Sequence, residues 1–190
     1  GRLGNKTKQG FYLKEKTAEG RKVSYLDYTD GEYKPTTRPK FASVEAVKQV
    51  DDPAQRLKMV VGGNDKAAEF AWRTLRDSLI YAVKRVPEIA DDIVNIDNAM
   101  KWGFNWELGP FEMLDAIGVQ AFIQRSEKDG FTVPETLNNV ECFYKFEDGK
   151  KYYYDLVAGQ YLELQSVASE INLHILKKAG QVVEKTSNCS

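Results

Sequence analysis

The sequence has few of the residues that mark secreted or membrane proteins. Its 190 residues include two cysteines, Cys142 and Cys189, which lie far apart and fit no metal-ligand spacing. A reduced cytoplasmic setting without a disulfide is therefore expected. No apolar run approaches the roughly 18 residues of a membrane-spanning helix, and the first residues lack the apolar core of a secretory signal. We expect no membrane partner.

Neither positive nor negative charge is in large excess. The net charge is −1, which argues against the extended basic surface that nucleic-acid binding requires. Residues 1–40 hold ten Lys or Arg against five Asp or Glu, and we interpret them as a basic segment that packs on an acidic helical face. Tyrosines interleaved with Lys and Arg could stack on bases, but cross-strand tyrosine pairs are ordinary stabilisers of sheets. No nucleic-acid partner is expected.

Sequence motifs for dinucleotide binding and residues for acid–base catalysis are also scarce. No Gly-x-Gly-x-x-Gly follows a strand, so the loop that holds a dinucleotide pyrophosphate is missing. The one histidine, His174, stands beside a lysine pair without an identifiable carboxylate to orient it, and we interpret it as structural. The sequence therefore predicts no catalytic, cofactor-binding or metal-binding residue in this chain.

Residues 95–119 carry the strongest local pattern, that of two short helices joined by an aromatic elbow. We predict that Asn95 caps the first helix and that Gly103 ends it in the left-handed conformation. Gly109-Pro110 restarts the chain, because proline suits the first position of a helix, and Gly118 closes the second helix. Asp115 is interpreted as a hydrogen-bonding residue across the elbow.

This block resembles the C-terminal helical domain of the L-3-hydroxyacyl-CoA dehydrogenases. The resemblance is carried by ten positions, which are Asp97, Ala99, Met100, Gly103, Gly109, Pro110, Phe111, Glu112, Asp115 and Gly118. A second stretch, residues 3–12 with Lys6 and Gly10, is similar to the segment that ends such a domain in the same family. The resemblance implies a mainly α fold, a helical bundle of the 6-phosphogluconate dehydrogenase C-terminal-like type with small β-hairpin appendages.

Two stretches of the sequence repeat each other. Phe11-Tyr12 is followed by Gly31-Glu32-Tyr33, and Phe143-Tyr144 is followed by Gly159-Gln160-Tyr161. Glycine turns between aromatic and β-branched runs predict an equivalent hairpin in each stretch. Because an ending motif precedes a complete-looking body, we expect residues 1–40 to finish a first copy of the domain and residues 41–163 to form a second. Residues 164–190 are expected to be a connector toward an absent enoyl-CoA hydratase domain.

The resemblance implies a piece of a fatty-acid β-oxidation enzyme that oxidises L-3-hydroxyacyl-CoA with NAD. In that family, a histidine oriented by a glutamate acts from the separate nucleotide-binding domain, so this chain is expected to bind no cofactor and to be inactive alone. Its partners in the parent protein would be the acyl-CoA substrate and the nucleotide-binding domain, and an exposed apolar surface could cause self-association. The alternative is a non-catalytic interaction module that tethers neighbouring enzyme domains.

Further patterns predict the rest of the body. Helices are expected at 43–50 with Ser43 as cap, at 52–61, from a cap at Asn64 or Asp65 to Val86, and at 119–126. The carboxylates Asp91, Asp92 and Asp97 could form an acid/base or metal cluster, but their places near helix starts favour a complement to the helix dipole. Trp72, Trp102 and Trp106 could line a ligand pocket, and core packing is the favoured interpretation.

Overall fold

Two separate units make up the chain, one ending at Lys40 and the other beginning at Phe41. A computed structural model describes residues 2–18 and 20–165. His174, Cys189 and nearly all of the expected connector lie outside the described residues. No helix among those described is both long and apolar enough to cross a membrane.

The N-terminal unit is built from strands. A turn at residues 5–8 leads into three antiparallel strands that pair in chain order. These are β1 (Tyr12–Thr17), β2 (Gly20–Leu26) and β3 (Tyr33–Pro35). The described residues up to Lys40 contain no helix, in agreement with the hairpin expected there. With two antiparallel sheets beside the helices, the described part of the chain is compatible with a helical domain but is not clearly mainly α.

The second unit places six helices before a second three-stranded sheet. The helices are α1 (Ala42–Glu45), α2 (Pro53–Val61), α3 (Lys66–Lys84), α4 (Ile93–Phe104), α5 (Pro110–Ile117) and α6 (Val119–Lys128). A single 3-10 turn follows at Glu135–Leu137. The strands are β4 (Tyr144–Glu147), β5 (Lys150–Asp155) and β6 (Gln160–Glu163), again antiparallel in chain order.

Helix starts follow the capping chemistry of the sequence in most places. Asp52 accepts a hydrogen bond from the Ala54 N–H and precedes Pro53 at the first position of α2. Of the two candidate caps for α3, Asn64 and Asp65, it is Asp65 whose side chain accepts from the Ala68 N–H. Ser43 is not a cap, because it lies inside α1 and its hydroxyl donates to Asp65 at 2.8 Å.

The ends of α4 differ from the prediction at both termini. Its cap is Asp92, whose carboxylate accepts from the Asn95 N–H, so Asn95 is a first-turn residue. This confirms the helix-terminus interpretation of Asp92. At the other end of α4, the left-handed residue is Asn105, with φ 56°. Gly103, which was predicted to take that conformation, is helical. Asparagine tolerates that conformation better than most residues, which explains why the nearby glycine is not used.

The core lies between the helices and the second sheet. Phe111, Phe122 and Phe143 are fully buried, and the Phe111 and Phe143 rings meet edge to face with centroids 4.9 Å apart. Trp72 is buried against Phe122, as predicted. Trp102 is 80% exposed and Trp106 is 37% exposed, so core packing is the wrong interpretation for these two side chains.

The two sheets repeat each other in register and in hydrogen bonding. Tyr12 pairs with Tyr25 in the first, as Tyr144 pairs with Tyr153 in the second. The Leu26 N–H donates to Phe11 O at 2.8 Å, and the Tyr154 N–H donates to Phe143 O at 2.8 Å. The prediction of equivalent β-hairpins is confirmed.

The same correspondence extends to side chains and turns. The Tyr33 hydroxyl donates to Gly10 O at 2.7 Å, and the Tyr161 hydroxyl donates to Cys142 O at 2.7 Å. In the turns before the third strands, Gly31 has φ 76° and Gly159 has φ 66°. Both turns need glycine at this left-handed position. Each sheet is therefore the same small meander.

Candidate functional site

A buried carboxylate from α4 occupies the N-terminus of α5. Asp97 is 1% exposed, and its Oδ1 accepts from the Phe111 N–H at 2.8 Å. Its Oδ2 accepts from the Glu112 N–H at 3.3 Å. These are N–H groups that a helix start leaves unpaired, and the dipole of the helix favours a negative charge there. Asp97 thus supplies the cap that the N-cap residue Gly109 has no side chain to make.

Gly109 has no side chain because Asp97 fills the space. A Cβ atom at position 109 would overlap Cβ and Cγ of Asp97. Glu112 completes the helix start, since its carboxylate accepts from the Gly109 N–H at 2.9 Å. Pro110 follows at the first helical position, where it needs no donor. The Gly-Pro pair is therefore fixed by a residue twelve positions earlier in the chain.

A second carboxylate holds the start of the second meander. Asp115 on α5 accepts from the Phe143 N–H at 2.6 Å and from the Tyr144 N–H at 2.8 Å. The Tyr144 hydroxyl then donates to Asp97 Oδ2 at 2.8 Å. The expected bond of Asp115 across the elbow is wrong, because its partners lie at the beginning of β4. Together the two aspartates join α4, α5 and β4.

Charged neighbours surround this network. Lys101 pairs with Glu112 at 2.8 Å, and the Lys151 ammonium lies 4.4 Å from the centre of the Tyr144 ring. Burial raises the pKa of Asp97 to about 7 and that of Asp115 to about 6. Burial also raises the pKa of Tyr144 and lowers the pKa of Lys151. Desolvation of the charged form causes each of these shifts.

The hydrogen bonds of this network have a structural role, because they link one element of the domain to another. Every hydrogen bond to the two aspartates comes from a backbone N–H or the Tyr144 hydroxyl. Among the described residues, no group of three or more His, Cys, Asp or Glu side chains is placed to hold a metal ion. The network connects three elements, and its geometry provides no nucleophile and base pair of the kind that acyl or hydride transfer requires.

The structure brings most of the singled-out residues together. Asp97, Gly109, Pro110, Phe111 and Asp115 meet around the start of α5. Gly118 ends that helix with φ 94°, as predicted.

Three of the singled-out residues lie elsewhere. Gly103 is exposed on α4 and has no atom near its Cβ position. Lys6 and Gly10 belong to the N-terminal unit. Lys6 is exposed there, and Gly10 packs so closely that a Cβ atom would lie 2.9 Å from Gly4 Cα.

Sequence reasoning missed Tyr144, Lys101 and Lys151 as members of this site. The Gly-Pro pair did indicate that an outside residue was needed. Neither residue has a side chain that can accept a hydrogen bond, so the first N–H groups of the helix need an acceptor from elsewhere in the chain. The neighbours of Tyr144 could not be read from the sequence, since its partner Asp97 is 47 residues away.

We expect the stability of the chain to fall as the pH rises through this network. The folded-state pKa values of about 7 for Asp97 and about 6 for Asp115 exceed the ordinary value of 3.8. The folded state therefore binds more protons, and the free energy of unfolding should drop by roughly 4 kcal/mol between about pH 5 and about pH 8, with the larger share from Asp97. Urea unfolding at both pH values measures this.

The matched control for this pH dependence is Asp97→Asn. Asparagine keeps an acceptor for the Phe111 N–H and has no charge at any pH, so the decline should be much smaller in this variant. A wild-type stability that is flat or rises over the same range would contradict the expectation. The lowered pKa values of Asp65 and Asp129 act below this range and do not interfere.

Comparisons with known proteins place these residues in context. Residues 70–141 match the family described as 3-hydroxyacyl-CoA dehydrogenase, C-terminal domain, which confirms the resemblance. A Bacillus subtilis (strain 168) protein named "Probable 3-hydroxyacyl-CoA dehydrogenase" is 37% identical over 195 residues, covering 100% of this chain. Proteins of Rickettsia prowazekii and Rickettsia felis, named as trifunctional enzymes of the fatty acid oxidation complex, are 26% and 25% identical over 154 residues, or 79% of this chain.

The matches cover only part of each relative. The chain spans 24% of the length of the Bacillus protein and 19% of each Rickettsia protein. No solved structure matches the chain. The family match includes both aspartates of the network, whereas Tyr144 lies three residues beyond it.

Proposed function

We propose that this chain is the helical, substrate-side part of a β-oxidation enzyme, because residues 70–141 match the 3-hydroxyacyl-CoA dehydrogenase C-terminal domain family. The whole enzyme oxidises L-3-hydroxyacyl-CoA to 3-ketoacyl-CoA in the cytoplasm, with NAD as the hydride acceptor. A separate nucleotide-binding domain supplies the catalytic histidine and the phosphate loop. The chain itself has a structural role and supplies no catalytic residue.

One observation carries the proposal. The aspartate–glycine network at the start of α5 lies inside the matched region, and its bonds fix α4, α5 and β4 as one body. A rigid body of this kind suits a domain that orients a neighbouring catalytic domain and one wall of its substrate site. A further part of the proposal is a fusion with an enoyl-CoA hydratase. The Rickettsia relatives are named as trifunctional enzymes, which supports more than one activity in the whole protein.

A second candidate function is a non-catalytic module that tethers neighbouring enzyme domains. The observation that favours it is the exposed aromatic elbow, where Trp102 is 80% exposed and Phe104 is 71% exposed. Beside the elbow, α2, α3 and Trp106 border an open groove of about 520 Å³. Exposed apolar surface of this kind marks contact with another protein or with a second copy of the same chain.

A substitution in the Bacillus relative separates the two functions. Its matching region would be replaced by this chain, and NAD-dependent oxidation of 3-hydroxybutyryl-CoA would be measured. The enzyme proposal expects turnover close to that of the unchanged protein. A folded chimera without turnover would contradict it. Loss of activity on adding Trp102→Ala to an active chimera would favour the tethering role, because this side chain is 80% exposed and lies outside the aspartate network.

The chain alone should not bind NAD in the micromolar range and should not oxidise 3-hydroxyacyl-CoA. It has no glycine-rich phosphate loop, and the network described above holds no general base for a substrate hydroxyl. Calorimetric titration with NAD and with acetoacetyl-CoA measures binding, and an absorbance assay measures turnover. Micromolar NAD binding or turnover would place a dehydrogenase site within these 190 residues and overturn the architectural role.

A further inference from the structure

The second meander shows how this motif attaches to helices. Phe143 is fully buried against Phe111, and four partly buried residues pack on the same core. With Phe143 they form a set of five docking residues, which are Phe143, Tyr144, Tyr153, Tyr154 and Leu156. The Asp115 carboxylate holds the backbone N–H groups of Phe143 and Tyr144, and the Asp97 carboxylate receives the Tyr144 hydroxyl.

The first meander carries apolar or aromatic residues at all five equivalent positions. The shared pairing and hydrogen bonds align the docking residues with Phe11, Tyr12, Tyr25, Leu26 and Tyr28. Only the last two pairs differ in residue type. The N-terminal set thus keeps the chemistry that the C-terminal set uses to bind helices.

Four of these five N-terminal residues are exposed, all but Leu26, whereas their equivalents are buried or partly buried. Phe11 is 81% exposed, Tyr12 60% and Tyr28 95%, although such side chains gain most from burial. Within residues 2–18 and 20–165, the Phe11 backbone N–H has no hydrogen-bond partner, whereas the equivalent Phe143 N–H is bound by Asp115. Phe11 and Tyr12 also line an open concavity of about 1110 Å³.

We propose that the N-terminal meander docks through Phe11 and Tyr12 onto a second helical body of the same kind as residues 41–142. That body presents a carboxylate to the Phe11 and Tyr12 N–H groups, an apolar pocket to the Phe11 ring, and a buried carboxylate to the Tyr12 hydroxyl. The helices of this chain cannot be that partner while their own site is filled by Phe143 and Tyr144. The inference rests on the internal repeat and not on the proposed reaction.

The decisive experiment moves the N-terminal meander onto the helices of this chain. Residues 143–164 would be replaced by residues 11–15 and 22–36, joined by the native tip Asp148-Gly149. Length and register are then conserved, because Glu15 pairs with Lys22 as Glu147 pairs with Lys150. We expect the graft to unfold cooperatively in urea, with a midpoint close to that of the unchanged chain.

Point variants show whether the grafted meander binds the helices through Phe11 or only fails to disturb them. Phe11→Ala in the grafted copy should lower the urea midpoint as much as Phe143→Ala does in the unchanged chain. The same change in the original N-terminal copy should have no effect. A smaller test is the double variant Tyr154→Leu, Leu156→Tyr, which makes the two docking sets identical and should unfold at nearly the unchanged midpoint.

Three outcomes would overturn the proposal. The first is a graft that does not fold or that is insensitive to Phe11→Ala. The second is a double variant with a much lower midpoint than the unchanged chain. The third is self-association of the unchanged chain that Phe11→Ala abolishes in sedimentation, because the occupant would then be a second copy. None of these outcomes bears on turnover in the Bacillus chimera, so the two proposals fail separately.

Discussion

Gly109→Ala should lower the free energy of unfolding by about 3 kcal/mol, which is the upper part of the usual cost of overpacking a core. The added methyl group would occupy the space of the Asp97 Cβ and Cγ atoms. Asp97 is buried and bonded to two helix N–H groups and to Tyr144, so it cannot move aside without losing those bonds. Urea unfolding of the variant at about pH 7 measures the loss.

Gly103→Ala is the matched control, since it changes another motif glycine in the same way. Gly103 is helical and exposed, and no atom lies within 4 Å of its Cβ position. Alanine costs less backbone entropy in a helix, so this variant should be more stable by about 0.5 kcal/mol. Equal effects of the two substitutions would mean that the close approach of Asp97 to Gly109 does not decide the choice of glycine.

The contrast between these glycines shows what sequence patterns could predict. Gly109-Pro110 and Asp52-Pro53 were correctly identified as helix starts, because a cap and a first-position proline act within a few residues. Gly103 was misassigned, because Asn105 two residues later takes the left-handed position. Two candidates of that kind only two residues apart cannot be ranked from local chemistry alone.

The candidate site was predicted as a set of residues but not as a network. The motif indicated Asp97 and Asp115, yet their bonds reach 14 residues to Phe111 and 28 residues to Phe143. Contacts at such separations depend on how α4, α5 and β4 pack, which the local pattern does not specify. The exposure of Trp102 was missed for the same reason, since helical periodicity does not say which surfaces of a domain stay uncovered.

The repeat could be predicted because it needs no knowledge of packing. Aromatic and glycine positions recur along the chain, and the two meanders form with matching register. The spacing between equivalent residues changes from 132 at Phe11 and Phe143 to 128 at Gly31 and Gly159, and the difference falls at the tip of the first hairpin. What the pattern could not predict is the opposite exposure of the two copies.

That opposite exposure leads to the second large effect, at Phe143. Phe143→Ala should lower the free energy of unfolding by about 4 kcal/mol, the usual cost of removing a fully buried phenylalanine ring. The ring is 0% exposed and contacts Phe111 edge to face, so its loss leaves a cavity between α5 and β4. Phe11→Ala, at the equivalent position of the first meander, should change the stability of this chain by less than about 0.5 kcal/mol.

The pair of variants separates the docking interaction from the intrinsic stability of the meander. Both phenylalanines accept the same cross-strand hydrogen bond at 2.8 Å, and substitution by alanine leaves that backbone bond in place. Any difference between the two losses, measured by urea unfolding of the full chain, therefore comes from what each ring packs against. Similar losses for both variants would mean that Phe11 is already buried in solution, which would contradict the exposed docking set on which the second helical body depends.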